Sequence, residues 1–440
     1  MITGKIAKVI GRRVWDSRGR PTVEAEILLA SGCSGRAIAP AGASRGKFEA
    51  VELRDSTDKI WGGLGVNRAV EKINTTIHNA LKGQDVMDQE AVDQLLIELD
   101  GTVNKSRLGG NSTIAVSMAA AKAAANEATI PLYLHLLGTA EQAIMPLPEV
   151  QIFGGGAHAG GRIDFQDFMV VPGGAATFNE AIEWCVRVYM AAGRMLEEQG
   201  KLCGVADEGG YWPDFQSNED ALVMLIRAIE NAGFTPGEDV GISIDFAASE
   251  FFDGTEYHLS LSGEKYDADS FSELIGDWIT RYPIWSIEDP LSQDDFEGMK
   301  RITRAFGDKV QIIGDDFLVT NVGRIQQAIT GSACNAVLIK PNQTGTLTET
   351  HEALLLARKA GWGTIISARS GETEDTTIAH LVVGWGAGQF KVGSVTRSER
   401  LAKWNEVIRI EENLNEKAVF SGSSVLPFKD AEPVNVGITN

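Results

Sequence analysis

Between Asp245 and Lys391 the chain places a charged residue at the end of each short apolar run, and the runs recur at nearly regular intervals. They read GISID to Asp245, IWSIED to Glu288 and Asp289, VQIIGDD to Asp315 and Asp316, AVLIK to Lys340, TIISAR to Arg369 and QFK to Lys391. After a first gap of 43 residues, successive charges stand 27, 25, 29 and 22 residues apart, each close to one βα unit. An apolar run ending in a charge is a strand that delivers a side chain to a rim. The segments between, such as DDFEGMKRITRAF, VGRIQQAIT and LTETHEALLLARKAG, carry helical period and supply the crossovers that parallel strands require. Such repetition predicts a parallel sheet. Closed into a (β/α)₈ barrel, it brings all strand C-termini to one face, where active sites lie.

At 440 residues there is room for such a barrel and a further domain. A formal charge of −20 argues against nucleic acid or an anionic membrane as partner, because both would repel the protein. Cys33, Cys185, Cys203 and Cys334 are scattered with no CxxC pair, which points to reduced thiols in the cytoplasm. The opening MITGKIAKVIGRRV lacks the apolar core of a signal peptide, and no stretch approaches the roughly 20 apolar residues of a membrane helix.

Ahead of the barrel rhythm the chain reads differently. Residues 1 to about 60 alternate apolar and polar, predicting an antiparallel meander with turns at Gly19 and at Ser31 to Gly35. Pro40 to Ala50, PAGASRGKFEA, has neither period. Its composition fits an ordinary surface loop more readily than a lid over a site. Residues 67 to 137 are mostly helical, and their small side chains imply tight packing. Glycines at 154 to 156, 160 and 161 bracket His158 without forming a dinucleotide fingerprint. RIDFQDFMVVPGG is a strand carrying Gln166 and Asp167, and ADEGG sets Asp207 and Glu208 on a loop. Ser217 is the expected N-cap of the next helix. The last dozen residues read as a tail.

In a barrel, Asp245, Glu288 and Asp315 converge as oxygen ligands alone, a hard-cation set suited to Mg²⁺. One such acid is better read as solvated or as a helix cap. Three in sequence, followed by a lysine and an arginine, repel strongly without a cation among them. Burial at the end of AVLIK is expected to lower the pKa of Lys340, with Lys391 adding like charge, so that Lys340 can act as a base. Arg369 and Ser370 suit a phosphate or carboxylate. A base beside a cation, an anion clamp and an acid at Glu208 together fit proton abstraction next to a carboxylate and loss of water.

The chain resembles the enolase family from end to end. The likeness rests on DSRGRPTVE (16–24), LDGTVNKS (99–106), ADEGG (206–210), DFAASEF (245–251), SIEDP (286–290), GDDF (314–317), LIKPNQTGTLTET (338–350), SGETEDTTIA (370–379) and RIEE (409–412). The resemblance implies an α/β chain with an N-terminal α+β capping domain over residues 1–137 and a modified (β/α)₈ TIM barrel over 138–440. It implies dehydration of 2-phosphoglycerate to phosphoenolpyruvate with two Mg²⁺, and a homodimer or an assembly of dimers. Position by position, Asp245, Glu288 and Asp315 match metal ligands, Lys340 the base and Glu208 the general acid. His158, Gln166, Arg369, Ser370 and Lys391 match substrate-contacting positions, with Asp167 grouped among them. His158 alone would read as a structural histidine; its place in the motif reverses that.

Departures from the family pattern fall at the site. Ala41 stands where the family's loop has Ser and so removes a hydroxyl near a second Mg²⁺, Asp167 where it has Glu, and Ala368 where it has His before Arg-Ser. Such changes alter specificity more readily than reaction type. A paralogue using the same base and metal on another phospho- or phosphono-carboxylate is the alternative, and a non-catalytic scaffold is a third. Retention of Lys340, Glu208 and all three carboxylates speaks against the scaffold.

Overall fold

A computed structural model describes residues 4–43 and 46–428; Ser44 in the Pro40–Ala50 loop and the last dozen residues lie outside them. The N-terminal alternation folds as the expected meander, Ile6–Trp15, Pro21–Leu29 and Ser34–Ile38, antiparallel in that order. Gly19, at φ +70°, makes the first turn in the left-handed region that glycine adopts without penalty. The Ala-rich helix Gly110–Glu127 covers the sheet and is buried along nearly all its length. Its close approach needs glycine at position 35, where a Cβ would run into the backbone of Ala119 and Ala123.

Eight strands then close a barrel in chain order: Leu147–Gly154, Asp167–Val171, Gly241–Asp245, Ile284–Glu288, Gln311–Gly314, Ala336–Ile339, Gly363–Ser367 and Gly388–Gly393, with the last pairing back to the first. The six from Gly241 onward run parallel, as the charge rhythm predicts. Asp167–Val171 departs from an all-parallel sheet and is antiparallel to both neighbours. The connection before it, residues 155–166, holds only a one-turn helix at Gly156–His158 in place of the helix that usually carries a parallel crossover. The reversal has a useful consequence. Asp167 opens its strand yet stands in register with Asp245, which ends its own, so both reach one rim.

Polar bonds join cap to barrel beside the AVLIK strand. Lys105 pairs with Glu349 at 2.8 Å, Ser117 Oγ accepts from Leu347 N at 2.9 Å, Asp93 accepts from Thr348 N at 2.9 Å, and Lys122 pairs with Asp375 at 2.8 Å. These fix the chain that follows Lys340. Among the described residues no helix is long and apolar enough to cross a membrane.

Because the space at Gly35 is closed by backbone, Gly35→Ala is expected to destabilise the protein by about 1–3 kcal/mol. A urea midpoint equal to that of the wild type would show that the helix can retreat without penalty.

Candidate active site

The strand ends gather the charged residues into one buried mouth. Asp245 and Glu288 end their strands, and Asp315, Lys340 and Arg369 follow theirs within two residues. Lys391 lies within the last strand. Its ammonium is 2.8 Å from Asp245 Oδ2, 2.8 Å from Glu288 Oε2 and 3.4 Å from Asp167 Oδ2. Lys340 Nζ donates to Asp315 Oδ2, and Gln343 Nε2 donates to Asp315 Oδ1 at 3.0 Å. Gln166 Nε2 reaches Asp245 Oδ2 at 3.1 Å.

Burial governs the protonation of this cluster. It pushes the Glu288 carboxyl well above its usual range, with Asp245 adding to the rise. For Asp315 burial acts in the same direction, but Lys340 and Arg369 outweigh it and hold the carboxyl below its usual value. Lys340 corrects the expectation of a lowered pKa. Burial does push its ammonium down, and Arg369 and Lys391 help; Asp315 and Glu288 nevertheless outweigh them, so the net shift is upward. Lys391 is raised further, its burial overcome by Asp245, Glu288 and Asp167.

The remaining residues selected from the sequence line the same cavity. His158, Gln166, Asp167, Glu208, Lys340, Arg369, Ser370 and Lys391 surround it, with Ala368 on its wall. His158 is buried with no hydrogen-bond partner at either ring nitrogen. Its Nδ1 lies 3.7 Å from Glu208 Oε1, too far for a hydrogen bond. The imidazole therefore faces the cavity with its polar atoms unspent. Glu208 sits at the tip between strands Leu202–Val205 and Tyr211–Pro213, and its carbonyl accepts from Ser394 N at 2.9 Å.

Arg369 is turned inward by the cap. Glu49 takes its Nη1 at 3.0 Å and Nη2 at 3.3 Å. Ser370 Oγ accepts from Ala43 N at 3.3 Å, and Ala41 exchanges two backbone bonds of 2.9 Å with Gly371. Ala41, Ala43 and Glu49 thus bring the described parts of the Pro40–Ala50 segment to the site, where a surface loop was the expectation. The Ala41 carbonyl also accepts from Arg18 Nη2 at 2.8 Å.

Several contributors escaped the sequence reading. Glu49 and Gln343 lie outside the rim rhythm. Gln151 donates to Asp167 Oδ1 and accepts from Gly210 N at 2.7 Å, joining the Glu208 loop to the Lys391 cluster. Asp289 accepts from Asp315 N at 2.9 Å and Asp316 N at 2.7 Å, and the three form a buried acidic group able to hold a metal ion. Its position directly after Glu288 in IWSIED was the available signal.

The donor set fits a divalent metal. All candidate ligands are carboxylate oxygens, and Glu288 Oε1 is buried without a hydrogen-bond partner. A hard cation matches such an oxygen, which would otherwise carry a full desolvation penalty.

The sequence matches two family models, "Enolase, N-terminal domain" over residues 6–136 and "Enolase, C-terminal TIM barrel domain" over residues 142–428. It is 48% identical over 415 residues to the "Enolase" of Anaplasma marginale (strain St. Maries), covering 94% of this chain and 96% of that protein. It is 50% identical over 425 residues to "Enolase 1" of Desulfitobacterium hafniense (strain Y51), covering 96% and 97%. With a closed barrel, its cap and these matches along nearly the whole chain, the protein belongs to the enolase family, lyases of the phosphopyruvate hydratase type.

Proposed function

We propose that the protein dehydrates 2-phosphoglycerate to phosphoenolpyruvate, as a homodimer or assembly of dimers in the cytoplasm, serving glycolysis and gluconeogenesis. The observation that carries the reading is Lys340, buried at the mouth between Asp315 and the unpartnered His158 cavity. Lys340 Nζ takes the proton α to the substrate carboxylate, and Glu208 on the opposite loop gives a proton to the departing hydroxyl. Arg369 and Ser370 hold the phosphate, while Lys391, His158 and Gln166 orient the remainder, with Asp167 anchoring Lys391.

Asp245, Glu288 and Asp315 would hold Mg²⁺. An ion held there would supply positive charge against the negative charge that proton abstraction leaves on the substrate. A second Mg²⁺, which the family implies, gains no side-chain ligand from position 41. Ala41 brings no hydroxyl, and its carbonyl already accepts from Arg18 and Gly371.

One observation favours a second reading, a related phospho- or phosphono-carboxylate as substrate. Ala368 puts a methyl group on the cavity wall where the family has an imidazole, which changes both volume and charge.

Purified protein with Mg²⁺ and 2-phosphoglycerate should produce the ultraviolet absorbance of the enol ester, and absence of turnover would exclude this substrate. Lys340→Ala should slow exchange of the α-proton with deuterated water by on the order of 10²–10⁴-fold; unchanged exchange would assign the base elsewhere. Mg²⁺ at about 100 times its Kd should stabilise the wild type by about 2.7 kcal/mol in thermal unfolding. Glu288→Gln should flatten that response, and an equal shift in both proteins would remove Glu288 from the ligand set. Ala368→His should raise kcat/KM on 2-phosphoglycerate by about tenfold if the wall sets specificity; no gain would count against the second reading.

A further inference from the structure

The turn after Asp315 holds two consecutive β-branched residues in the left-handed region, Val319 at φ +47° and Thr320 at φ +54°. This conformation suits glycine or asparagine, and β-branched side chains are strained in it. Both residues are fully buried, so neither faces solvent for any other purpose. What the turn achieves is the placement of one hydroxyl.

Thr320 Oγ1 accepts from Lys340 N at 3.0 Å, which leaves its own hydrogen to donate. The nearest acceptor is Gln343 Oε1 at 2.6 Å; the Leu338 carbonyl is farther, at 3.4 Å. With its oxygen turned to Thr320, the Gln343 amide must present nitrogen on its other side. That nitrogen donates to Asp315 Oδ1 at 3.0 Å and to Glu49 Oε1 at 3.3 Å. A flipped amide would set its oxygen against two carboxylates. Asp315 Oδ2 then meets Lys340 Nζ, and the circuit closes. Both the backbone and the ammonium of Lys340 belong to one ring of hydrogen bonds, whose polarity is set at Thr320. Through Glu49 the same amide also reaches the partner of Arg369.

We infer that Thr320 is a positioning residue for proton abstraction: its hydroxyl orients the Gln343 amide and thereby fixes which oxygen of Asp315 faces Lys340. This rests on the reading of Lys340 as the base. It goes beyond that reading by assigning a function to a residue that touches neither substrate nor solvent.

Thr320→Val keeps the branched shape and removes only the hydroxyl, whereas Thr320→Ser keeps the hydroxyl. In Thr320→Val, kcat on 2-phosphoglycerate and α-proton exchange should both fall on the order of 100-fold, the scale of a misplaced reacting group. KM should change little, because Arg369 and Ser370 remain. Thr320→Ser should keep most of the wild-type kcat. Gln343→Met, which opens the ring from its other side, should reproduce the kcat loss and serves if Thr320→Val does not fold. In the substrate-free protein, hydrogen exchange of the Lys340 amide should accelerate in Thr320→Val but not in Thr320→Ser. A wild type inactive on 2-phosphoglycerate would overturn the reaction assignment and leave that exchange result to judge the ring. Unchanged Lys340 exchange, a wild-type kcat in Thr320→Val, or equal losses in the Val and Ser variants would overturn the inference.

Discussion

The mouth of the barrel is organised by a balance of buried charge. Asp167, Asp245, Glu288 and Asp315 meet Lys340 and Lys391, all of them buried. Two like charges about 4 Å apart repel by roughly 4 kcal/mol at an effective dielectric constant of 20, so four carboxylates cannot remain ionised there without compensating cations. The protein meets this in two ways. It sets Lys340, Arg369 and Lys391 on the three strands beside the run of acids, with Lys391 reaching Asp245 and Glu288, and it ties Asp245, Asp315 and Asp167 into hydrogen bonds from Gln166, Gln343 and Gln151. Glu288 Oε1 is the exception, buried and without a hydrogen-bond partner.

The same balance decides the behaviour of Lys340. Considered as a lysine on an apolar strand, it should lose its proton readily. Considered with Asp315 against its ammonium, it holds the proton more firmly. The two effects oppose each other within one contact, and neutralising Asp315 would shift the outcome toward the free amine. The protonation state of this lysine is therefore a property of the whole cluster rather than of its own burial.

Much of this was legible in the chain because strand ends impose a rhythm on sequence. Asp245, Glu288, Asp315, Lys340 and Arg369 were selected by spacing alone, and the barrel delivers each of them to one rim. Spacing could not reveal Glu49, whose partner Arg369 is 320 residues away, or Gln151, which acts through a loop bond and a neighbouring strand. These are contacts made by closure, and they leave no local period. The reversed strand at Asp167–Val171 leaves no mark in the apolar pattern, because a strand buried on both faces reads the same in either direction.

The cap helps to shape the barrel mouth. Arg369 projects from the barrel, but its guanidinium is set by Glu49 from the cap and by Asn342 at 3.3 Å from the segment after Lys340. A guanidinium held at defined nitrogens is fixed in its plane. Glu49 also accepts from Gln343, whose amide is held by Thr320 beside Lys340. Glu49 of the cap, Arg369 and Lys340 are thus joined by consecutive hydrogen bonds. Loosening the cap would disturb the direction of the clamp before it disturbed the barrel itself, which is closed by its own strand pairing.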